Sequence, residues 1–252
     1  MFAKNLINYL ERFVYCDTMK VENEKTEEGI DMSSSIINVT LDGPSGSGKT
    51  TIAKSLAKKL GYVYVDTGAM YRGVAYYMLT HNIDVKEEAQ VLSVLDNVNL
   101  EIKLDGDEQK VIVNGEDVTG LIRTPEISMG ASTVSKHKDV RLKLVAMQRY
   151  IAKKCNSIFD GRDMGSFVLP DADKKFYITA DVDTRAKRRY LELKQKQDVT
   201  LQQVKADMIA RDEQDSSRAF APLVIPQGAF VIDTTNMNIE EVENLILSKI
   251  NK

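Results

Sequence analysis

Leu41 to Thr50 read LDGPSGSGKT, directly after the apolar run IINVT at 36–40 and directly before a helical pattern. The stretch has the form G-x-x-x-x-G-K-[ST]. Such a loop, placed between a strand and a helix, cradles phosphate. Gly43, Gly46 and Gly48 let the backbone fold tightly and turn its N–H groups inward, with Pro44, Ser45 and Ser47 between them. Lys49 can reach the outer phosphates of a nucleotide, and the Thr50 hydroxyl, followed by Thr51, can ligate Mg²⁺. The helix that starts near Lys49 adds the positive end of its dipole. A cradle of this kind holds a nucleotide but does not name what receives the phosphate.

Outward from the loop, β-rich runs recur at IINVTL, YVYVD, SIFD, KFYIT and AFVID. Helical patterns fall at about 49–60, 68–80, 126–153, 184–214 and 238–250. Strands alternating with helices imply right-handed crossovers. The expected fold is therefore α/β, three layers built on a five-stranded parallel sheet with helices on both faces. Residues 97–123 break that rhythm with two alternating runs around DGDEQ and a turn signal at NGED, which predicts a small inserted antiparallel meander. Residues 1–35 read as an extension: Phe2, Leu6, Ile7, Leu10, Phe13 and Val14 recur at helical spacing, then an acidic polar run follows. We expect a short appended helix on a flexible linker, or a chain whose translation starts at Met32.

Composition narrows the function classes. A net charge of −3 argues against bulk attraction to nucleic acid, so anion binding has to come from local arginines. Cys16 and Cys155 are the two cysteines, and with His81 and His137 they offer no zinc-site spacing. No apolar stretch approaches the roughly 18 residues of a membrane span. A reducing cytoplasm fits.

Three further segments place chemistry beside the cradle. In YVYVDTGAMYR a strand ends at Asp66, and Thr67 and Arg72 lie on the helix that follows. By the rule for open parallel sheets this strand end faces the crevice of the phosphate loop. An ordinary N-cap and a solvated arginine would be the plain reading of Thr67 and Arg72. In SIFDGRDMG a strand ends at Asp160, placed to hold Mg²⁺ through water, and Arg162 could clamp a phosphoryl group. Arg185, Arg188 and Arg189 share a helix face, as do Arg211, Asp215 and Arg218 about one turn apart. Of the basic stretch 135–154, Arg141 is the arginine that could turn inward.

The order GPSGSGKTT, DTGAMYR, GLIRTPEIS, DGRDMGSFVLPDADKKFYITA, RAKRR, RDEQDSSRAFAPL resembles bacterial cytidylate kinase, from about Ile36 to the C-terminus. The resemblance implies a P-loop kinase fold of the nucleoside monophosphate kinase type, residues 36–252. It has an NMP-binding part that includes the insert, and a lid at about 184–198. It implies transfer from MgATP to CMP or dCMP. Nothing in the sequence advertises an interface, so a monomer is the default expectation. It places Thr67, Arg72, Arg162 and Asp163 at the acceptor nucleotide. Ser132, Arg141 and Arg218 fall at the cytosine, Arg211 and Asp215 at the sugar, and Arg185 and Arg189 at the phosphates as lid arginines. Asp160 as a magnesium-side carboxylate is our own reading. Another small-acceptor kinase, for UMP, AMP or shikimate, is the alternative. No N-K-x-D or T-K-x-D motif for guanine is present, against a GTPase.

Overall fold

The computed structural model describes residues 14–16, 36–105, 108–195 and 197–250. The strands are β1 (Val14–Cys16), β2 (Asn38–Asp42), β3 (Val63–Asp66), β4 (Leu100–Asp105), β5 (Glu108–Val113), β6 (Glu116–Asp117), β7 (Ser157–Asp160), β8 (Lys174–Thr179) and β9 (Phe230–Asp233). The helices are α1 (Lys49–Leu60), α2 (Thr67–Thr80), α3 (Glu88–Leu95), α4 (Pro125–Val134), α5 (Lys138–Ala152), α6 (Val182–Leu193), α7 (Leu201–Ser216) and α8 (Ile239–Ile250).

The main sheet runs β3-β7-β2-β8-β9 with every neighbouring pair parallel, so the expected five-stranded parallel sheet is present. Its strands alternate between two cores. Val63, Val65 and Phe159 join α2, α4 and α5 on one face, while Tyr64, Ile158, Val39 and Leu41 join α1 and α8 on the other. That period of two lets one run of β-branched and aromatic residues serve both faces. Leu41 lies beside Asp160 and Asp66 beside Asp160 in register, which brings the carboxyl ends of β2, β7 and β3 level. The functional residues leave the sheet from this edge.

The insert is the expected antiparallel meander, β4-β5-β6. Asn114 (φ 50°) and Gly115 (φ 88°) make the tight turn between β5 and β6, which needs positive φ at both positions. Of the segment expected as an appended helix, Val14–Cys16 are the described residues. They form a strand instead, parallel to β4. An open strand edge offers β-branched and aromatic residues backbone partners, and that pairing overrides helical spacing at Val14. The rest of that expectation lies outside the described residues.

Two long helical patterns are each broken in the structure. The stretch 126–153 is α4 and α5, separated at Ser135–His137, where the Ser135 carbonyl is turned to accept from Arg141 Nη1 at 3.3 Å. The stretch 184–214 is α6 and α7. The second opens with a capping box in which Thr200 and Gln203 satisfy each other's backbone N–H. A small third core of Ala186, Val204 and Met208 holds these two helices together. Helix α3 was not anticipated; Val91 and Leu95, four apart, bury its inner face.

Candidate active site

The phosphate loop leaves β2 and enters α1. At Gly43 φ is +142°, and a Cβ there would stand 2.0 Å from the Ile178 carbonyl oxygen, so only glycine fits. Gly48 caps α1 without a side-chain bond, and no acidic residue occupies the first turn, which leaves that helix end free for an anion. Lys49 is buried, with Nζ donating to Pro44 O at 2.7 Å and to Ser47 Oγ at 3.1 Å. Burial, reinforced by the like charge of Arg162, pushes its ammonium down to about 7. A phosphate anion would reverse that pressure. Just before the loop, Asp42 accepts from the Met164 and Gly165 N–H groups at 2.8 and 2.7 Å, tying the cradle to the segment after Asp163. Burial raises the Asp42 carboxyl to about 7.

Asp160 joins this cradle to the second half of the crevice. Its Oδ2 accepts from Thr50 Oγ1 at 2.6 Å and from the Tyr64 hydroxyl at 3.3 Å, while its backbone carbonyl accepts from Thr67 Oγ1 at 2.8 Å. Burial raises its pKa, and Lys49 opposes the rise. Arg72 Nη2 pairs with Asp66 Oδ2 at 2.8 Å, and the same carboxylate caps α2 by accepting from Ala69 N at 2.9 Å. Asp66 is held from the insert as well: Gln109 Oε1 accepts from its N–H at 2.9 Å and Gln109 Nε2 donates to its carbonyl at 3.0 Å.

Deeper in the crevice the arginines and acids interlock. Arg162 donates to Asp215 Oδ2 at 3.2 Å and to Gly161 O at 3.1 Å. Arg218 donates to Asp215 O at 3.2 Å and to Ser135 Oγ at 3.4 Å. Arg141 is 1% exposed, is paired with Asp163, and lies 5.5 Å from the centre of the Tyr71 ring. Arg72 Nε, Arg141 Nε, Arg211 Nε and Arg218 Nη2 are buried without a hydrogen-bond partner. Burial, with the nearby positive charges of Arg162, Arg72 and Arg189, pushes Arg211 down to about 10. Unpaired buried donors from α2, α5, α7 and the turn after α7 are the complement of an anionic, acceptor-rich ligand.

The remaining expected residues take varied positions. Arg185 is buried against the loop, donating to Ser45 O at 3.0 Å and Ala180 O at 2.9 Å. Arg188 instead anchors Thr234, and Arg189 is half-exposed with Glu192 as its partner at 2.8 Å. The Ser132 hydroxyl and carbonyl both accept from Gln214 Nε2, at 2.6 and 2.9 Å. Sequence reasoning passed over Asp42, Gln109 and Asp212. Asp42 ends a strand as Asp66 and Asp160 do, a signal that was readable; Gln109 and Asp212 are placed by tertiary structure and carry none.

Thr50 and Asp160 present two hard oxygen donors 2.6 Å apart at the loop. That set fits Mg²⁺ shared with phosphate oxygens and water, the usual mode for this ion. Among the described residues no cluster of three or more His, Cys, Asp or Glu could hold a metal by itself. No described helix is long and apolar enough to cross a membrane.

Residues 39–252 match the family model described as Cytidylate kinase. The chain is 50% identical over 212 residues to a cytidylate kinase of Caldicellulosiruptor saccharolyticus, covering 84% of this chain and 94% of that one. It is 44% identical over 213 residues to a cytidylate kinase of Bacillus cereus, covering 84% and 95%. A shikimate kinase structure from Bacteroides thetaiotaomicron aligns with 86% of this chain and 100% of that chain at 13% identity and TM-score 0.46. A match through the whole of the cradle, insert and arginine segments leaves one assignment: the chain belongs to the cytidylate kinase family.

Proposed function

We propose that the chain phosphorylates CMP and dCMP, with ATP as donor and Mg²⁺ in attendance, giving CDP or dCDP and ADP. The observation that carries this reading is the double contact of Asp160, whose carboxylate meets Thr50 of the donor cradle and whose carbonyl meets Thr67 at the acceptor helix. On this reading a single residue links the donor and acceptor sites, which supports direct transfer between them.

Phosphoryl transfer asks for alignment and charge neutralisation more than for covalent chemistry. The backbone of residues 43–51 holds the donor's phosphates, with Lys49 at the outer ones. Thr50 and Asp160 would hold Mg²⁺, which when bound would neutralise phosphate charge. Arg72 and Arg162 grip the acceptor phosphate, helped by Thr67. Arg185 and Arg189, on the helix pair that acts as a lid, cover the transferring group and keep water out. Arg141, held by Asp163, reads the cytosine with Ser132 and Arg218. Cytosine presents O2 and N3 as acceptors and N4 as a donor. Uracil would set a carbonyl and an N3–H against the same partners and leave them unpaired. Arg211 and Asp215 hold the sugar. The acceptor is already an anion, so no strong general base is needed. We further propose that the protein works as a cytoplasmic monomer.

ADP release measured with CMP, dCMP, UMP, AMP and shikimate tests the reading. The cytidine nucleotides should lead by at least about tenfold, the value of one unsatisfied polar group. Equal rates with AMP or shikimate, or ADP release that ignores the acceptor, would refute it.

A further inference from the structure

Asp212 lies on α7 beside Arg211, and none of the roles above uses it. Its Oδ1 accepts from the Ser45 N–H at 3.0 Å, and its Oδ2 is paired with Arg185 Nη1. Arg185 closes the triangle by donating to the Ser45 carbonyl at 3.0 Å. A carboxylate therefore sits on an N–H of the phosphate cradle while neutralising an arginine of the lid. Helix α7 lies hard against the loop here, since a Cβ on Gly46 would meet Met208 Cε at 2.8 Å. The Asp212 charge also acts on Lys49 and on Arg162, so it faces the same cations that a transferring phosphate would face.

We propose that Asp212 is an internal substitute for phosphate, which the donor's terminal phosphate has to displace from the Ser45 N–H and from Arg185. The inference rests on the kinase reading of the site and adds a competitor within it. The Ser45 N–H has one hydrogen for two acceptors of like charge, so the affinity for ATP is set by a contest there and not by the cradle alone; Arg185, with further guanidinium N–H groups, can turn from the carboxylate to the phosphate. The carboxylate also keeps Arg185 oriented and its charge compensated until phosphate arrives. A purely structural Asp212 would have the opposite consequence, because losing it would only loosen the helix and weaken the site.

Asp212→Asn separates the two. The amide keeps the size and one carbonyl acceptor but removes the charge. The dissociation constant for ATP, measured by calorimetry, should fall by about three- to tenfold, the scale of one ordinary hydrogen bond, because the amide oxygen still competes for the Ser45 N–H and only the charge is lost. The KM for CMP should stay within about twofold, because the acceptor contacts are untouched. Asp212→Glu, which restores the charge, should bind ATP as weakly as the parent. Asp212→Ser, smaller and equally neutral, repeats the test should the asparagine variant fail to fold. Unchanged or weaker ATP binding in the neutral variants overturns the proposal, as does a gain that Asp212→Glu shares. Failure of CMP-dependent ADP release in the parent protein would count against the kinase reading and leaves this calorimetric readout intact.

Discussion

Replacing Arg141 with methionine tests the deepest part of the site. The guanidinium is 1% exposed and its partner Asp163 has a side chain 3% exposed, so neither charge has water to fall back on. Methionine keeps much of the volume but leaves the Asp163 carboxylate buried and alone. Breaking a buried pair from one side costs about 3–5 kcal/mol. At this chain length each kcal/mol is about 2–4 °C, so the melting temperature should drop by about 6–20 °C. The acceptor loses a charge-assisted contact of about 1.5–3 kcal/mol, a fall in kcat/KM for CMP of about 10- to 150-fold. The KM for ATP should move by less than about threefold, since Arg141 touches nothing in the phosphate loop. The double variant Arg141→Met, Asp163→Leu removes both charges and should recover at least half of the lost melting temperature. Scanning calorimetry and steady-state kinetics at 25 °C read both effects. Equal rises in the two Michaelis constants, or a double variant that melts no higher than the single, would show the reasoning to be wrong.

Other outcomes follow from neighbouring geometry. Lys49, held at about 7, is mostly neutral at pH 8 and should take up close to one proton when a triphosphate restores its charge. Calorimetry in two buffers of different ionisation enthalpy measures that uptake, and a buffer-independent heat would contradict it. The sign for stability is opposite to that of a paired lysine. The folded value lies below the unfolded one, so without nucleotide the Lys49 contribution improves as pH rises from about 7 to about 10.5. Asp160→Asn should raise the magnesium concentration for half-maximal rate by about tenfold or more; an unshifted magnesium titration would remove Asp160 from the metal site. Gln109→Leu removes the acceptor of the Asp66 N–H and one donor to the Asp66 carbonyl, and should cost about 1–3 kcal/mol in urea unfolding while raising the KM for CMP and sparing that for ATP.

Local rules made the cradle, the parallel sheet and the meander readable, because each is written at short range. The phosphate loop needs its glycines in order, and the sheet's five strands each announce themselves as a β-rich run. The turn at Asn114–Gly115 belongs to the same class, since few residue pairs tolerate positive φ twice. The inward turn of Arg141 was only one option in a basic helix, and what fixes it is Asp163, 22 positions away. Breaks in the long helices were missed for a similar reason. Ser135–His137 contains neither glycine nor proline, and its interruption is stabilised by a side chain from the next helix. The capping box at Thr200 and Gln203 was a local signal and could have been read. Gln109 and Asp212 could not, because a glutamine on a strand and an aspartate on a charged helix look like solvated positions until the fold sets them against Asp66 and Ser45.

The small core of Ala186, Val204 and Met208 bears on the thermodynamics of the helix pair α6–α7. These helices bury apolar side chains mainly against each other, and Arg185 and Asp212 reach the phosphate loop through polar bonds. Swinging the pair as one body would expose little hydrocarbon to water. On the lid role proposed above, its opening should carry a small heat-capacity change and respond to ionic strength, whereas unfolding either large core would do the reverse. Temperature would then leave the balance between open and closed forms nearly untouched over a range in which salt shifts it.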